Sequence, residues 1–131
     1  MLLNRVANVV VRRLGLRRFR GADLLMLTTT RRKSGQPRTT PLMYLDDGHR
    51  WVVVASNGGA DWEPDWRLNL RAGSPGTVVV NDTRTPVTGT EITGSERERM
   101  WQLLNDKVFD YNSYQQKVSR QIAVVALVPT A

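Results

Sequence analysis

Four cations and four hydroxyls fall within eleven consecutive residues, Thr28-Thr29-Thr30-Arg31-Arg32-Lys33-Ser34-Gly35-Gln36-Pro37-Arg38. Side chains of these types gathered at a Gly/Pro turn suit an anion. Arg32, Lys33 and Arg38 converge on the turn, where the Thr30 and Ser34 hydroxyls and the Gly35 N–H can complete an oxyanion cage. Each charge-assisted bond to a phosphate or carboxylate oxygen is worth about 1.5–3 kcal/mol. A second stretch, Ser56-Asn57-Gly58-Gly59-Ala60, puts adjacent glycines directly after an apolar run, so a ligand can approach backbone N–H groups closely. A solvated basic loop and an ordinary turn are the bland alternatives for the two stretches.

Other chemistries lack the residues they need. With no cysteine there is no disulfide, thiolate ligand or Cys nucleophile, and His49 is the only histidine. The twelve Asp and Glu form no ligand-spaced set, so no metal site is expected. There is no Ser-His-Asp or Cys-His pattern, no nucleophile elbow and no Walker or dinucleotide fingerprint. An enzyme made from this chain therefore leaves the difficult chemistry to a bound cofactor. The net charge of +7 points to anionic ligands. Residues 1 to 50 hold eleven of the nineteen Lys and Arg against three Asp, while the remainder is close to neutral. Few aromatics accompany the cations, which argues against nucleic-acid binding by stacking.

The elements that must position these residues are mostly strands. Leu24 to Thr29 and Arg38 to Leu45 read as strands flanking the basic turn, and Asp46-Asp47-Gly48 as a hairpin turn leading into Trp51-Val52-Val53-Val54-Ala55. Three strands in sequence suggest an antiparallel meander. A short helix through Trp66 to Arg71 follows, capped by Asp61 or Asp65 and stopped by Gly73. Val78 to Val80 and Pro86 to Ile92 form another hairpin. Ser95 and Glu98 make a capping box for a helix through Leu104. Phe109, Tyr111 and Tyr114 lie in a second helical piece, and Ile122 to Val128 is a central strand ended by Pro129. At the start, Leu2, Leu3, Val6, Val9 and Val10 share a helical face. That amphipathic helix either packs on the domain or, over residues 2–14, touches a membrane surface. Early arginines interrupt any signal-peptide core, so a cytoplasmic protein is expected, with the inner face of the membrane as the alternative. We divide the chain into an N-terminal basic helix and linker, 1–22, and a second unit, 23–131.

Several separated blocks carry a family resemblance. Leu25-Met26-Leu27-Thr28-Thr29-Thr30, Arg32-Lys33-Ser34-Gly35-Gln36-Pro37-Arg38, Thr40-Pro41-Leu42, Val54-Ala55-Ser56-Asn57-Gly58-Gly59 and Trp66-Arg67-Leu68-Asn69-Leu70 together resemble the deazaflavin-dependent nitroreductase family, from about residue 23 to Pro129. The resemblance implies an α+β, mainly β fold: an antiparallel split β-barrel of about six strands with flanking helices. It implies coenzyme F420, whose reduced form donates a hydride to quinones, activated double bonds or nitroaromatics. Thr30, Arg32, Lys33, Ser34, Gln36, Pro37, Arg38 and Thr40 would bind the phosphodiester and oligoglutamate tail. Ser56, Asn57, Gly58 and Gly59 would line the deazaflavin, with Trp66 and Asn69 completing the pocket. Ser56, Tyr111 and Tyr114 are the candidate catalytic residues, the tyrosines matching the family's substrate wall. Arg31, Asn57 and Val108 depart from residues common in relatives. A monomer or homodimer acting on a small electrophile is expected. An FMN-dependent enzyme on the same barrel and a non-catalytic cofactor-binding protein are the alternatives.

Overall fold

The computed structural model of the protein describes residues 18–19 and 22–130. The helix expected over residues 2–14, and the membrane contact attached to it, lie outside the described residues. Eight strands form one antiparallel sheet: β1 (Arg18–Phe19), β2 (Ala22–Thr30), β3 (Pro37–Met43), β4 (Leu45–Asp46), β5 (Trp51–Val54), β6 (Gly76–Val80), β7 (Thr83–Ile92) and β8 (Val124–Pro129). Among the described residues three α-helices accompany them, α1 (Asp65–Arg71), α2 (Gly94–Lys107) and α3 (Tyr111–Gln115), together with a 3-10 turn at Asn57–Gly59.

Period-two alternation sets the layers, because successive strand residues face opposite sides of a sheet. On β2, Leu25, Leu27 and Thr29 are buried while Leu24, Met26 and Thr28 are only partly so. On β5 and β8 both sides are covered. Val53, Ala55, Val125 and Leu127 point into the curl of the sheet, where they join Leu25, Leu27, Val78 and Val87 and the α1 residues Trp66 and Leu70. Val52, Val54, Val124 and Ala126 point outward, under Met100 and Leu104 of α2 and Tyr111 of α3. The central position expected for the last strand is borne out, since β8 lies between β7 and β5.

The meander is not what forms. β2 and β3 are a hairpin, with Leu27 opposite Thr40 and Thr30 opposite Pro37, but the chain then bends at Tyr44 and β3 never pairs with β5. Only the two-residue β4 meets β5, through Leu45↔Val52 and Asp46↔Trp51, and β5 takes β8 as its long partner. The sheet thus curls into a split barrel. Beyond the bend at Tyr44, one edge of β3 and the Val53–Val54 end of β5 have no strand against them among the described residues.

Local chemistry explains most boundaries. The β4–β5 connection is closed by Gly48 N–H donating to Asp46 Oδ1 at 2.8 Å, with Gly48 at φ +96°. Asn81 and Asp82 both take positive φ in the two-residue β6–β7 turn, the conformation that matches strand twist. The Ser95 capping box does not form: α2 starts one residue earlier, with Thr93 as N-cap and no side-chain cap bond. Helix α1 is likewise entered from Pro64, so Asp65 is its first residue rather than its cap. Close contact fixes Gly89, since a Cβ there would lie 2.9 Å from Leu70 Cδ1.

Candidate cofactor site

The basic turn is a tight loop across the β2–β3 hairpin. Arg31 N–H donates to Gln36 O and Gly35 N–H to Arg31 O, both at 2.8 Å, with Gly35 at φ +75°. This corrects one expectation: the Gly35 N–H is spent inside the loop and is not offered to a ligand. Ser34 Oγ accepts from Gln36 N–H at 3.3 Å, and Thr30 N–H donates to Ser74 Oγ at 2.8 Å. On the strands below, the Thr28 and Thr39 hydroxyls are 2.7 Å apart. Arg38 and Thr40 lie opposite Thr29 and Leu27 and so share the inward face of β3.

Helix α1 anchors this loop at three levels. Asn69, 1% exposed, accepts from both the Arg32 N–H (3.2 Å) and Arg32 Nη1 (3.0 Å) at Oδ1, and donates from Nδ2 to Thr29 Oγ1 at 3.1 Å. Asp65 sets its carboxylate between two guanidiniums, 3.7 Å from Arg32 Nη1 and 3.4 Å from Arg38 Nη1. Ser74, just past the helix, holds Thr30. Against four loop cations this neighbourhood sets one carboxylate. Arg31 and Lys33 are exposed and have no ion pair among the described residues.

The second wall is the turn after β5. The ladder to β8 extends one residue through Ala55 N–H to Ala123 O at 2.9 Å, and then Asn57, Gly58 and Gly59 take φ of 49°, 64° and 84°. Asn tolerates this region and glycine is at ease in it. Gly59 N–H donates to Ser56 O and Ala60 N–H to Asn57 O, closing the turn. Among the described residues, the N–H groups of Ser56, Asn57 and Gly58 have no acceptor, and a Cβ on Gly58 would meet nothing within 4 Å. Gly59 is different, for its Cβ would sit 3.1 Å from Tyr114 Cδ1. Asn57 Nδ2 donates to Trp62 O at 3.0 Å, and Trp62 itself is 58% exposed. Only Ala60 to Pro64 separate this turn from Asp65, so the turn and the basic loop are tied to opposite ends of one short segment.

Some residues expected at the site are placed elsewhere. Trp66 is 5% exposed and packs in the inner core with Leu25 and Val53, and Asn69 spends its polar atoms on Arg32 and Thr29. Tyr111, 3% exposed, packs against Phe109 and Trp101 in the outer layer; burial, and secondarily the neighbouring Tyr114, push its phenol above the ordinary tyrosine range. Tyr114, half-buried and stacked on Phe109 at 5.2 Å, does reach the turn. His49 is exposed, as expected. The sequence reading missed Asp65 as the counter-charge. It also missed Arg120, whose guanidinium meets the Ala55–Ala60 segment. Neither carries a local signal, since their partners lie 27 and about 60 residues away.

Fold and site together define a split-barrel protein with one strongly cationic wall and one wall of free amides, a donor set that fits a ligand with a polyanionic tail. The family model described as F420H(2)-dependent quinone reductase matches residues 3–129, and the chain belongs to that family of oxidoreductases, whose reductant is reduced F420. The resemblance read from the motifs is thereby borne out. An F420H(2)-dependent quinone reductase of Mycobacterium tuberculosis (strain H37Rv) is 39% identical over 106 residues, covering 79% of this chain and 71% of the relative. A solved F420-H2-dependent reductase, FDR-A, is 35% identical with a TM-score of 0.71, covering 79% of this chain and 92% of its own. A structure described as a domain-swapped dimer is 31% identical with a TM-score of 0.72, covering 97% and 99%.

Proposed function

We propose that this F420-dependent reductase acts on a planar, apolar acceptor of the quinone type, bound over the Ser56–Gly59 turn. Reduced F420 supplies the hydride. The observation that carries the choice of acceptor is the aromatic neighbourhood of the turn: Trp62, exposed and with its carbonyl held by Asn57 Nδ2, and Tyr114, packed against Gly59. Such a neighbourhood favours a flat ring, because aromatic faces stack.

The chain's own residues divide the remaining work. Arg31 and Lys33, exposed and with no ion pair among the described residues, hold carboxylates of the tail, while Arg32 and Arg38 take the phosphodiester, with Asp65 set between their guanidiniums. Ser34, Gln36, Pro37, Thr30 and Thr40 shape that wall. The amides of Ser56, Asn57 and Gly58 meet the polar edge of the ring. Trp66 and Asn69 act from behind, through packing and through Arg32. The Ser56 hydroxyl, half-buried and without a partner among the described residues, passes a proton from water to the acceptor oxygen. Quinone, hydride and proton then sum to hydroquinone. Holding donor and acceptor in a near-attack geometry contributes up to about 7–11 kcal/mol.

The cofactor site belongs to the unit 23–131. The domain-swapped relative, and an edge of β3 with no strand partner among the described residues, support a homodimer over a monomer. The test is oxidation of F420H2 followed by absorbance with quinones, enones and nitroaromatics. Quinones are expected to be reduced fastest, and Trp62→Ala to raise their KM several-fold while leaving cofactor affinity within twofold. Binding of F420 with no turnover across the panel would leave a cofactor carrier, and tight FMN binding without F420 binding would leave the flavin enzyme.

A further inference from the structure

The segment between α3 and β8 carries one side chain that reaches back 60 residues and more. Arg120 Nη1 donates to Ala55 O at 3.2 Å, Nη2 to Ser56 O at 3.2 Å and to Ala60 O at 3.0 Å, and Nε to Ala60 O at 3.3 Å. One guanidinium thus gathers the carbonyls at both ends of the Ser56–Gly59 turn. Arg120 is itself held: Gln115 Nε2 donates to Arg120 O at 2.7 Å, and Gln115 Oε1 accepts from Ile122 N–H at 2.9 Å. No carboxylate pairs with the guanidinium among the described residues, so its four hydrogen bonds and its charge serve the backbone of the turn.

We propose that Arg120 is a positioning residue for the cofactor's ring: by drawing three carbonyls to one side it fixes the turn with the Ser56, Asn57 and Gly58 amides presented together on the other. The need is physical. Three successive residues at positive φ, two of them glycine, have little conformational preference of their own, and a glycine pair loses much entropy when it is ordered. The two bonds internal to the turn set its curvature and leave its tilt relative to β5 free. A planar fork reaching Ala55 before the turn and Ala60 after it removes that freedom, because both flanks must stay at fixed distances from one rigid group. Its positive charge also lies behind amides that already carry partial positive charge, reinforcing the field met by an anionic ring edge. Lysine cannot replace it, since one ammonium cannot reach carbonyls on both flanks with planar geometry.

The inference rests on the reading that this turn meets the deazaflavin, and its test separates the two. In the full-length protein, Arg120→Lys and Arg120→Ala are expected to raise the F420 Kd, read by fluorescence titration, at least tenfold. Amide hydrogen exchange at Gly59 and Ala60 of the cofactor-free protein should quicken by a similar factor, with the β7–β8 ladder unchanged. Guanidinium in the millimolar range should restore affinity to Arg120→Ala while leaving the wild-type affinity unchanged. Gln115→Ala, which loosens Arg120 without removing it, gives the same direction at about threefold and covers the case in which the Arg120 variants fail to fold. Gly58→Asn tests the reading beneath: Asn tolerates φ +64°, and its side chain enters the open space over the turn. If Gly58→Asn weakens F420 binding and the Arg120 variants do not, the role given to Arg120 is overturned and the site stands. If neither does, the turn does not meet the cofactor and both ideas fall.

Discussion

Replacing Lys33 and Arg38 by alanine separates ligand electrostatics from folding more cleanly than any other pair in the molecule. Lys33 is exposed and has no ion pair among the described residues, so its loss leaves stability unchanged. Arg38 loses one pair, to an Asp65 carboxylate that is 54% exposed, at 3.4 Å. Such a pair contributes about 0.2–1 kcal/mol, and for a chain of this size that is a Tm change of a few degrees at most. Cofactor binding responds on another scale. A charge-assisted contact at the low, solvent-exposed end of its range, about 1.5 kcal/mol, corresponds to about tenfold in Kd, so the double variant should bind about a hundredfold more weakly. Arg38→Ala should exceed Lys33→Ala, because it also leaves Asp65 less neutralised beside an anionic ligand. Fluorescence titration with F420 at low and high salt, alongside thermal melts, is the assay. The difference between wild type and variant should shrink as salt rises, since the Debye length falls from about 10 Å at 0.1 M to about 3 Å at 1 M. Affinity within twofold of wild type, or a Tm fall of about 10 °C, would refute the assignment of this wall to the tail.

Three further outcomes follow from the same geometry. Asp65→Asn frees two guanidiniums from their shared carboxylate and should tighten F420 binding several-fold, measured by the same titration; weaker binding would mean that Asp65 orients Arg32 and Arg38 more than it neutralises them. Asn69→Leu keeps the volume but strips partners from the buried Thr29 hydroxyl and the Arg32 N–H, at about 1–3 kcal/mol each, so denaturant unfolding should show a loss of about 2–5 kcal/mol. Tyr111→Phe bears on alkaline stability: the folded phenol titrates above its unfolded value, so its contribution is present below about pH 10 and is lost as pH rises beyond it. Unfolding followed between pH 8 and pH 12 should therefore show a shallower decline for Tyr111→Phe, with quinone turnover at neutral pH retained.

What could be read in the chain was whatever is local. The apolar runs along Leu24 to Thr29 and before Pro129 specify strands. The Asp46-Asp47-Gly48 and Asn81-Asp82 turns specify hairpins because positive φ is inexpensive only for such residues. The Ser95 to Glu98 motif misled, for its spacing describes a cap that competes with Thr93, and the helix starts from Thr93 instead. Spacing likewise put Tyr111 and Tyr114 on one face without telling which of them the barrel would bury.

The sequence alone determined the longer strands and the helices after residue 60, the placement of positive charge around residues 31–38, the pliancy of Ser56 to Gly59 and, through five separated motifs, the family. Only the tertiary structure decided partners. It turned the expected meander into a split barrel by giving β5 to β8, and it bonded the buried Asn69 to Arg32 and Thr29. It also supplied Asp65 and Arg120 as the groups that hold the two walls. The reason is that a residue's local preferences are written in its neighbours along the chain, whereas the identity of a hydrogen-bond partner tens of residues away depends on how the sheet curls, and no spacing rule encodes that curl.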